Sequence, residues 1–316
     1  MPTSYGLMDH FPSDGLVAGF ASGLTKVAVG HGFDTIKTRI QLNPTFRNHG
    51  AFHVLNATLK REGFLALYKG VTPPAVGWSL IDSVLLGSLH TYRLFLFHNG
   101  MTEDDSSGMG RRLTLLGHSL AGLFAGLTSA PLATPIELLK VRLQLQMQKA
   151  VSDRQFKGPI DCAQQLVRSE GVLGLWTGFT GGLLYRANFF YMFLAFEACM
   201  RGLSRFHGMP YEPSIGVANL VAGGGASLCF WTLAIPFDRI KNQMMAHPYP
   251  LPYSERTSIP RPSVVSIARQ IYLDQGLRGF YRGLLPCFIR AFPSNACAFF
   301  VYEGLLRMLG AEQTRR

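Results

Sequence analysis

Pro135-Ile136-Glu137-Leu138-Leu139-Lys140-Val141-Arg142-Leu143-Gln144 closes a long apolar stretch with an acid, a base three residues on, and a second base two further. Glu170-Gly171 and then Trp176-Thr177-Gly178 follow it. The same order occurs earlier as Asp34-Thr35-Ile36-Lys37-Thr38-Arg39-Ile40-Gln41, Glu62-Gly63 and Tyr68-Lys69-Gly70. It returns as Pro236-Phe237-Asp238-Arg239-Ile240-Lys241, Gln275-Gly276 and Tyr281-Arg282-Gly283. The acids at 34, 137 and 238 lie 103 and 101 residues apart, and the closing glycines at 70, 178 and 283 lie 108 and 105 apart. Three landmarks recurring in one order define an internal repeat of about a hundred residues, which takes precedence over any reading of single segments.

Each copy opens with a membrane-length segment, roughly 15–41, 113–145 and 215–245, and closes with another, roughly 72–99, 180–204 and 284–308. That gives six candidate spans. None reaches ~20 uninterrupted apolar residues, and polar interruptions of this kind suit helices that line a water-filled path rather than an anchor. Small residues at packing intervals (Gly15, Gly19 and Gly23; Gly122 and Gly126; Gly223 and Ser227) predict close helix contacts. The expected division is a tail at 1–14, repeats at 15–107, 108–209 and 210–310, and a tail at 311–316.

Composition narrows the class. The 316 residues are 47% hydrophobic and only 16% charged, yet carry a net charge of +11. The apolar fraction excludes a disordered chain, and Gly 34 with Pro 18 but no three-residue period excludes collagen. Five cysteines without a CxxC argue for a reduced environment with neither a disulfide framework nor structural zinc. Residues 1–14 hold Asp9 and Asp14 but no Lys or Arg, so neither a secretory signal nor an Arg-rich transit peptide is expected. Without GxxxxGK[ST], GxSxG or HExxH, and with scattered histidines (His90 and His118 lack spaced partners), no catalytic residue, metal or cofactor is expected. Apolar repeats rather than a soluble basic fold argue against a nucleic-acid partner.

Pro-x-acid-x-x-base-x-base, acid-Gly and aromatic-base-Gly, three times over nearly the whole length, resemble the mitochondrial carrier family. The resemblance implies an all-α membrane protein: six tilted helices in three pseudo-repeats, short matrix helices, cytosolic termini, and one central site reached alternately from either side of the inner membrane by a functional monomer. It implies a matrix gate in which Asp34 pairs with Lys140, Glu137 with Lys241 and Asp238 with Lys37, with Gln41 and Gln144 bracing the pairs. Several positions depart from the pattern: Gly32 replaces the first kink proline, Gln243 the third second base, Met245 the third glutamine, Thr177 a base and Gln275 an acid. At the cytosolic gate the motifs are eroded. Arg93 with Glu197 is the one expected pair, Glu303 has no base at the family spacing, and Arg201 and Arg307 are displaced by one place, about 100° around a helix. A weak cytosolic lock, easily opened, is the expectation.

Ionisable residues in mid-span are costly and therefore functional by default. Asp82, Arg186 and Arg290 are the ones on the closing segments, with Tyr185 beside Arg186 and Lys26 in the first segment. Arg290-Ala291-Phe292-Pro293-Ser294-Asn295-Ala296 resembles the carnitine and basic amino-acid branch, where this arginine contacts substrate; that branch has an arginine followed by an acid where Tyr185 and Arg186 stand, so the fourth segment is out of register with the pattern and the acid is missing. Asp82 can accept from an ammonium while the two guanidinium forks suit a carboxylate, so the expected substrate is an amino acid or carnitine-like zwitterion. Two other readings stand beside it: an organic-anion carrier, from the cation excess, and a non-transporting scaffold. The charge itself is localised. Segments 36–70, 138–180 and 239–283 hold 6, 6 and 7 Lys plus Arg against 1, 3 and 2 acids, while the remainder sums to −2. One membrane face holds the whole excess, as for retained basic loops. Anionic lipid is the partner this implies, with cardiolipin expected at Gly63, Tyr68, Lys69, Gly70, Gly171, Gly178, Gly276, Arg282 and Gly283 and at helix N-termini.

Overall fold

In the computed structural model the described residues are 13–46, 49–104, 110–146, 154–205, 215–247 and 262–290, with 293, 294, 297, 301 and 308. The first repeat contains α1 (Ser13–Leu42), α2 (Ala51–Glu62) and α3 (Thr72–His98). A short antiparallel hairpin, β1 (Thr102–Asp104) and β2 (Arg111–Leu113), leads into α4 (Leu115–Leu145), α5 (Pro159–Glu170), α6 (Phe179–Ala187) and α7 (Phe189–Ser204). The third repeat contains α8 (Ile215–Ala246), α9 (Val264–Phe280) and a final helical stretch at 284–290. The opening helices α1, α4 and α8 are 30, 31 and 32 residues long, about 45 Å each. Among the described residues, two helical stretches, Phe64–His98 and Leu115–Leu145, are apolar and long enough to cross a membrane by composition alone.

The landmark glycines owe their recurrence to backbone geometry. Gly63, Gly171 and Gly276 end or interrupt the short helices at φ 86°, 72° and 62°, and Gly70, Gly178 and Gly283 start the closing helices at φ 75°, 87° and 89°. L-residues rarely occupy this region, which fixes glycine at each site. The closing glycines also sit against the next repeat's opening helix. A Cβ on Gly70 would stand 3.1 Å from the Lys140 carbonyl, one on Gly178 2.8 Å from Met245 Cγ, and one on Gly283 3.1 Å from Lys37 Cγ. Each repeat thus docks on its successor, and the third docks on the first.

Each short helix packs on the end of its own opening helix. Val54 and Leu67 meet Ile36 and Ile40; Cys162 and Leu166 meet Leu138 and Val141; Ile267 and Ile271 meet Ile240 and Met244. Their outer sides leave Phe64, Leu65, Leu173, Val265 and Leu277 exposed. In α4, Pro135 has no N–H for the carbonyl of Pro131, and Trp176 Nε1 donates to that oxygen at 2.9 Å. The aromatic of the second aromatic-x-Gly motif therefore repairs the kink of its own repeat. At Gly32, α1 keeps its N–H and runs unbroken.

Two sequence expectations change here. The segment 180–204 is not one helix, because Asn188 Nδ2 donates to the carbonyls of Leu184 (2.9 Å) and Tyr185 (3.2 Å) and divides α6 from α7. The other concerns the small-residue stripes: among the described residues nothing lies within 4 Å of a Cβ built on Gly23 or Gly223. Gly122 and Gly126 do mark a close contact, and at Gly126 the added Cβ would fall 2.6 Å from the Arg186 carbonyl, a backbone atom that cannot swing aside. Gly126→Ala is expected to destabilise the protein by about 1–3 kcal/mol, read as a lowered melting midpoint in detergent.

Candidate functional site

The acids and bases of the three opening helices meet where those helices converge. Lys140 Nζ lies 2.6 Å from Asp34 Oδ2, Lys241 Nζ 2.8 Å from Glu137 Oε2, and Lys37 Nζ 2.5 Å from Asp238 Oδ2. Every pair joins two repeats. Lys241 also reaches Asp238 Oδ1 on its own helix at 3.1 Å, so it links the Glu137 and Asp238 pairs. Gln41 Nε2 approaches Asp238 Oδ2 at 3.5 Å, and Asn242 Nδ2 bridges Gln41 Oε1 (2.8 Å) and Asp238 Oδ2 (3.1 Å). Gln144 differs from the expectation: it accepts from Thr38 (2.9 Å) and donates to Thr35 (3.1 Å) on α1, and braces no pair, because the α1 threonines lie nearer its amide. Met245 packs against Gly178.

Arg186 and Arg290 stand one layer above, and both are already engaged. Arg290 NH1 is 3.3 Å from Asp34 Oδ1, while Arg186 donates to Glu137 Oε1 at 3.0 Å and to Ser129 Oγ at 2.8 Å. Expected to contact substrate, the two guanidinium groups share the ring's carboxylates in this conformation. Three aromatic rings cover the three lysines: Trp231 over Lys37 (4.7 Å), Trp78 over Lys140 (5.2 Å) and Tyr185 over Lys241 (4.2 Å). Arg290 sits between Trp78 (5.9 Å) and Trp231 (6.0 Å). Such contacts contribute about 0.5–2 kcal/mol each and screen the lysines from the space above. Tyr185, expected at the substrate, belongs to this collar and packs edge-on to Phe230.

Above the collar lie Lys26 and Asp82, both exposed although they stand mid-helix. Lys26 is one turn from Gly30, whose Cβ position is 3.3 Å from Arg290, and Asp82 is one turn from Trp78. Both therefore continue the inward faces of α1 and α3. Among the described residues neither makes an ion pair.

The profile described as mitochondrial carrier protein matches residues 9–100, 111–207 and 214–313. The chain belongs to the mitochondrial carrier family. Its three matches coincide with the three helical units around the ion-pair ring. The carrier is 32% identical over 305 residues to the mitochondrial basic amino acids transporter of Bos taurus, covering 95% of this chain and 93% of the relative. It is 32% identical to the mitochondrial arginine transporter BAC1 of Arabidopsis thaliana (94% of each chain) and 30% identical to the glutamate/glycine mitochondrial carrier ymc1 of Schizosaccharomyces pombe (91% of each).

At the opposite end of the carrier the expected Arg93 and Glu197 pair is not formed. Arg93 lies over Phe193 at 5.4 Å, and Glu197 takes Arg201 Nε at 2.8 Å. Arg201 also donates to Glu103 at 2.5 Å and to the Leu113 carbonyl at 2.8 Å, and Arg112 holds Glu103 at 2.8 Å. The displaced Arg201 thus ties α7 to the hairpin, a role its one-place shift concealed. Glu303 and Arg307 lie outside the described residues.

Behind the ring, Arg39 binds Glu62 through two bonds (2.5 and 3.0 Å), and Lys69 Nζ joins Glu62 (2.6 Å) to the Gln146 carbonyl of the next repeat (2.9 Å). Burial lowers the Lys69 pKa against the pull of Glu62. In the third repeat Arg239, one turn before Gln243, supplies the missing base and donates to Gln275 at 2.9 Å. Arg282 meets the same Gln275 oxygen at 3.1 Å and the Phe46 carbonyl at 2.7 Å. The i, i+4 relation of Arg239 to Gln243 was the available signal for this substitution. Among the described residues no cluster of three His, Cys, Asp or Glu could hold a metal.

Proposed function

We propose that this carrier spans the mitochondrial inner membrane six times and moves an amino acid, or a zwitterion of that kind, by alternating access. The observation that carries the reading is the closed ring of three inter-repeat ion pairs beneath Lys26 and Asp82. The ring acts as the matrix gate, shut in this conformation, and the separated Arg93 and Glu197 leave the cytosolic side open. Relatives named for basic amino acids, arginine and glutamate/glycine support an amino-acid substrate.

The shared arginines give a route from binding to opening. A substrate carboxylate competes with Asp34 and Glu137 for Arg290 and Arg186, leaving each acid with one lysine rather than two cations. The ring side chains are largely buried, so taking the second cation from each acid leaves desolvated negative charge less compensated and weakens the closed ring.

Cardiolipin is the proposed lipid partner of a functional monomer. A cavity of about 530 Å³ between the repeats is lined by Lys69, Gly70, Thr72, Arg154, Lys157 and Gly158, next to the N-termini of α3 and α5. Anionic headgroups suit such a place. The exposed Leu65 in its lining and Phe64 next to it in sequence fit the lipid interface.

Reconstitution in liposomes, screened with labelled amino acids, acylcarnitines and carboxylates, tests the reading. Exchange of an amino acid or acylcarnitine is expected; movement of dicarboxylates or phosphate alone would overturn it in favour of an organic-anion carrier.

A further inference from the structure

The charges facing the space above the ring do not balance. The two arginines and three gate lysines, Arg186, Arg290, Lys37, Lys140 and Lys241, meet the three gate acids Asp34, Glu137 and Asp238. Lys26 and Asp82 then add one charge of each sign. Asp82 is the one cavity acid, among the described residues, that no ion pair occupies, and Ala187 offers no second acid beside Arg186.

Lys26 and Asp82 occupy the same level, one turn above the layer of Arg290 and Trp78, from adjacent faces of α1 and α3. Each lies within the other's field, and Arg186 also acts on Asp82 while Arg290 acts on Lys26. An amino acid with a cationic side chain brings two cations to this space and finds one free acceptor, so its second cation is left facing Lys26, Arg186 and Arg290. An amino acid with a second carboxylate brings one ammonium for Asp82 and two anions for Lys26 and the arginine forks.

Resting on the amino-acid transport reading above, we infer that this carrier selects α-amino acids bearing a side-chain carboxylate, with Lys26 holding one carboxylate, Arg186 and Arg290 the other, and Asp82 the ammonium. Lys26 is then the specificity determinant against basic amino acids, because a like charge in a confined, partly dehydrated space rejects as strongly as an opposite charge attracts.

The test uses the full chain in liposomes, preloaded in turn with glutamate, aspartate, arginine or lysine, with homo-exchange measured for each. Glutamate or aspartate exchange is expected to exceed arginine exchange at least tenfold. Lys26→Glu is expected to reverse that order, and Lys26→Gln to lower the acidic-to-basic ratio at least fivefold. Both are read as ratios within one variant, so a lower folded yield does not move them. If Lys26→Glu exchanges nothing, the Lys26→Gln ratio decides. Arginine preferred by the wild type, or an unchanged ratio in the variants, overturns the assignment while leaving amino-acid transport standing. If no amino acid is exchanged and another class is, the transport reading falls and this inference with it.

Discussion

Lys241→Ala is expected to reduce exchange in liposomes at least about a hundredfold, equivalent to ~2.7 kcal/mol. Lys241 bonds to Glu137 at 2.8 Å and to Asp238 at 3.1 Å, and its ammonium lies over Tyr185 at 4.2 Å. Its removal strips a cation from two acids at once, and neither Arg186 nor Lys37 reaches both. Breaking a buried pair from one side costs more than the pair is worth, because the partner charge stays desolvated. The closed ring is then unfavourable and the cycle cannot reset. Lys241→Arg should recover part of the rate. Exchange within threefold of the wild type in Lys241→Ala would leave the ring without a gating role, and a scaffold would show no exchange to lose.

The second large effect concerns folding rather than transport. Arg39 is fully buried and holds Glu62 through both terminal nitrogens while donating to Thr58 at 3.0 Å. Arg39→Ala removes a long buried side chain and leaves Glu62 with Lys69, so a loss of about 3 kcal/mol is expected, measured by denaturation in detergent. The equivalent Arg239→Ala breaks a bond to the neutral amide of Gln275 and should cost less, about 1–2 kcal/mol. An equal or larger loss in Arg239→Ala would show that the charge of Glu62 contributes nothing.

The fold was legible because its landmarks are backbone requirements. Glycines forced to positive φ, prolines that kink, and acids and bases at one end of a helix repeat visibly in a chain that has three copies to compare. The ring pairs were implied by the resemblance to the carrier family. What stayed hidden depends on neighbours in space. Trp78 and Trp231 drew no reading from the sequence, and their place shows only when the lysines of other repeats are seen beneath them. Arg186 and Arg290 have the residue types of a free anion site, and only the convergence of helices shows Asp34 and Glu137 already within reach. Arg201 looked misplaced because the family spacing refers it to other helices, whereas its partners are the hairpin and Glu197. Asn188 carried a local signal, an amide able to take backbone carbonyls, that the apolar run around it obscured.

The seating of Gly70 on α4, Gly178 on α8 and Gly283 on α1 makes the molecule a reciprocal frame, in which each beam rests on the next and none is the base. Such a frame has no hinge that can work alone. Tilting one repeat withdraws the prop from its predecessor and the seat from its successor, so a single broken ion pair does not give a third of an aperture. An all-or-none transition is therefore the expected behaviour, in which a substrate that frees only one carboxylate from its second cation gains nothing until the other follows.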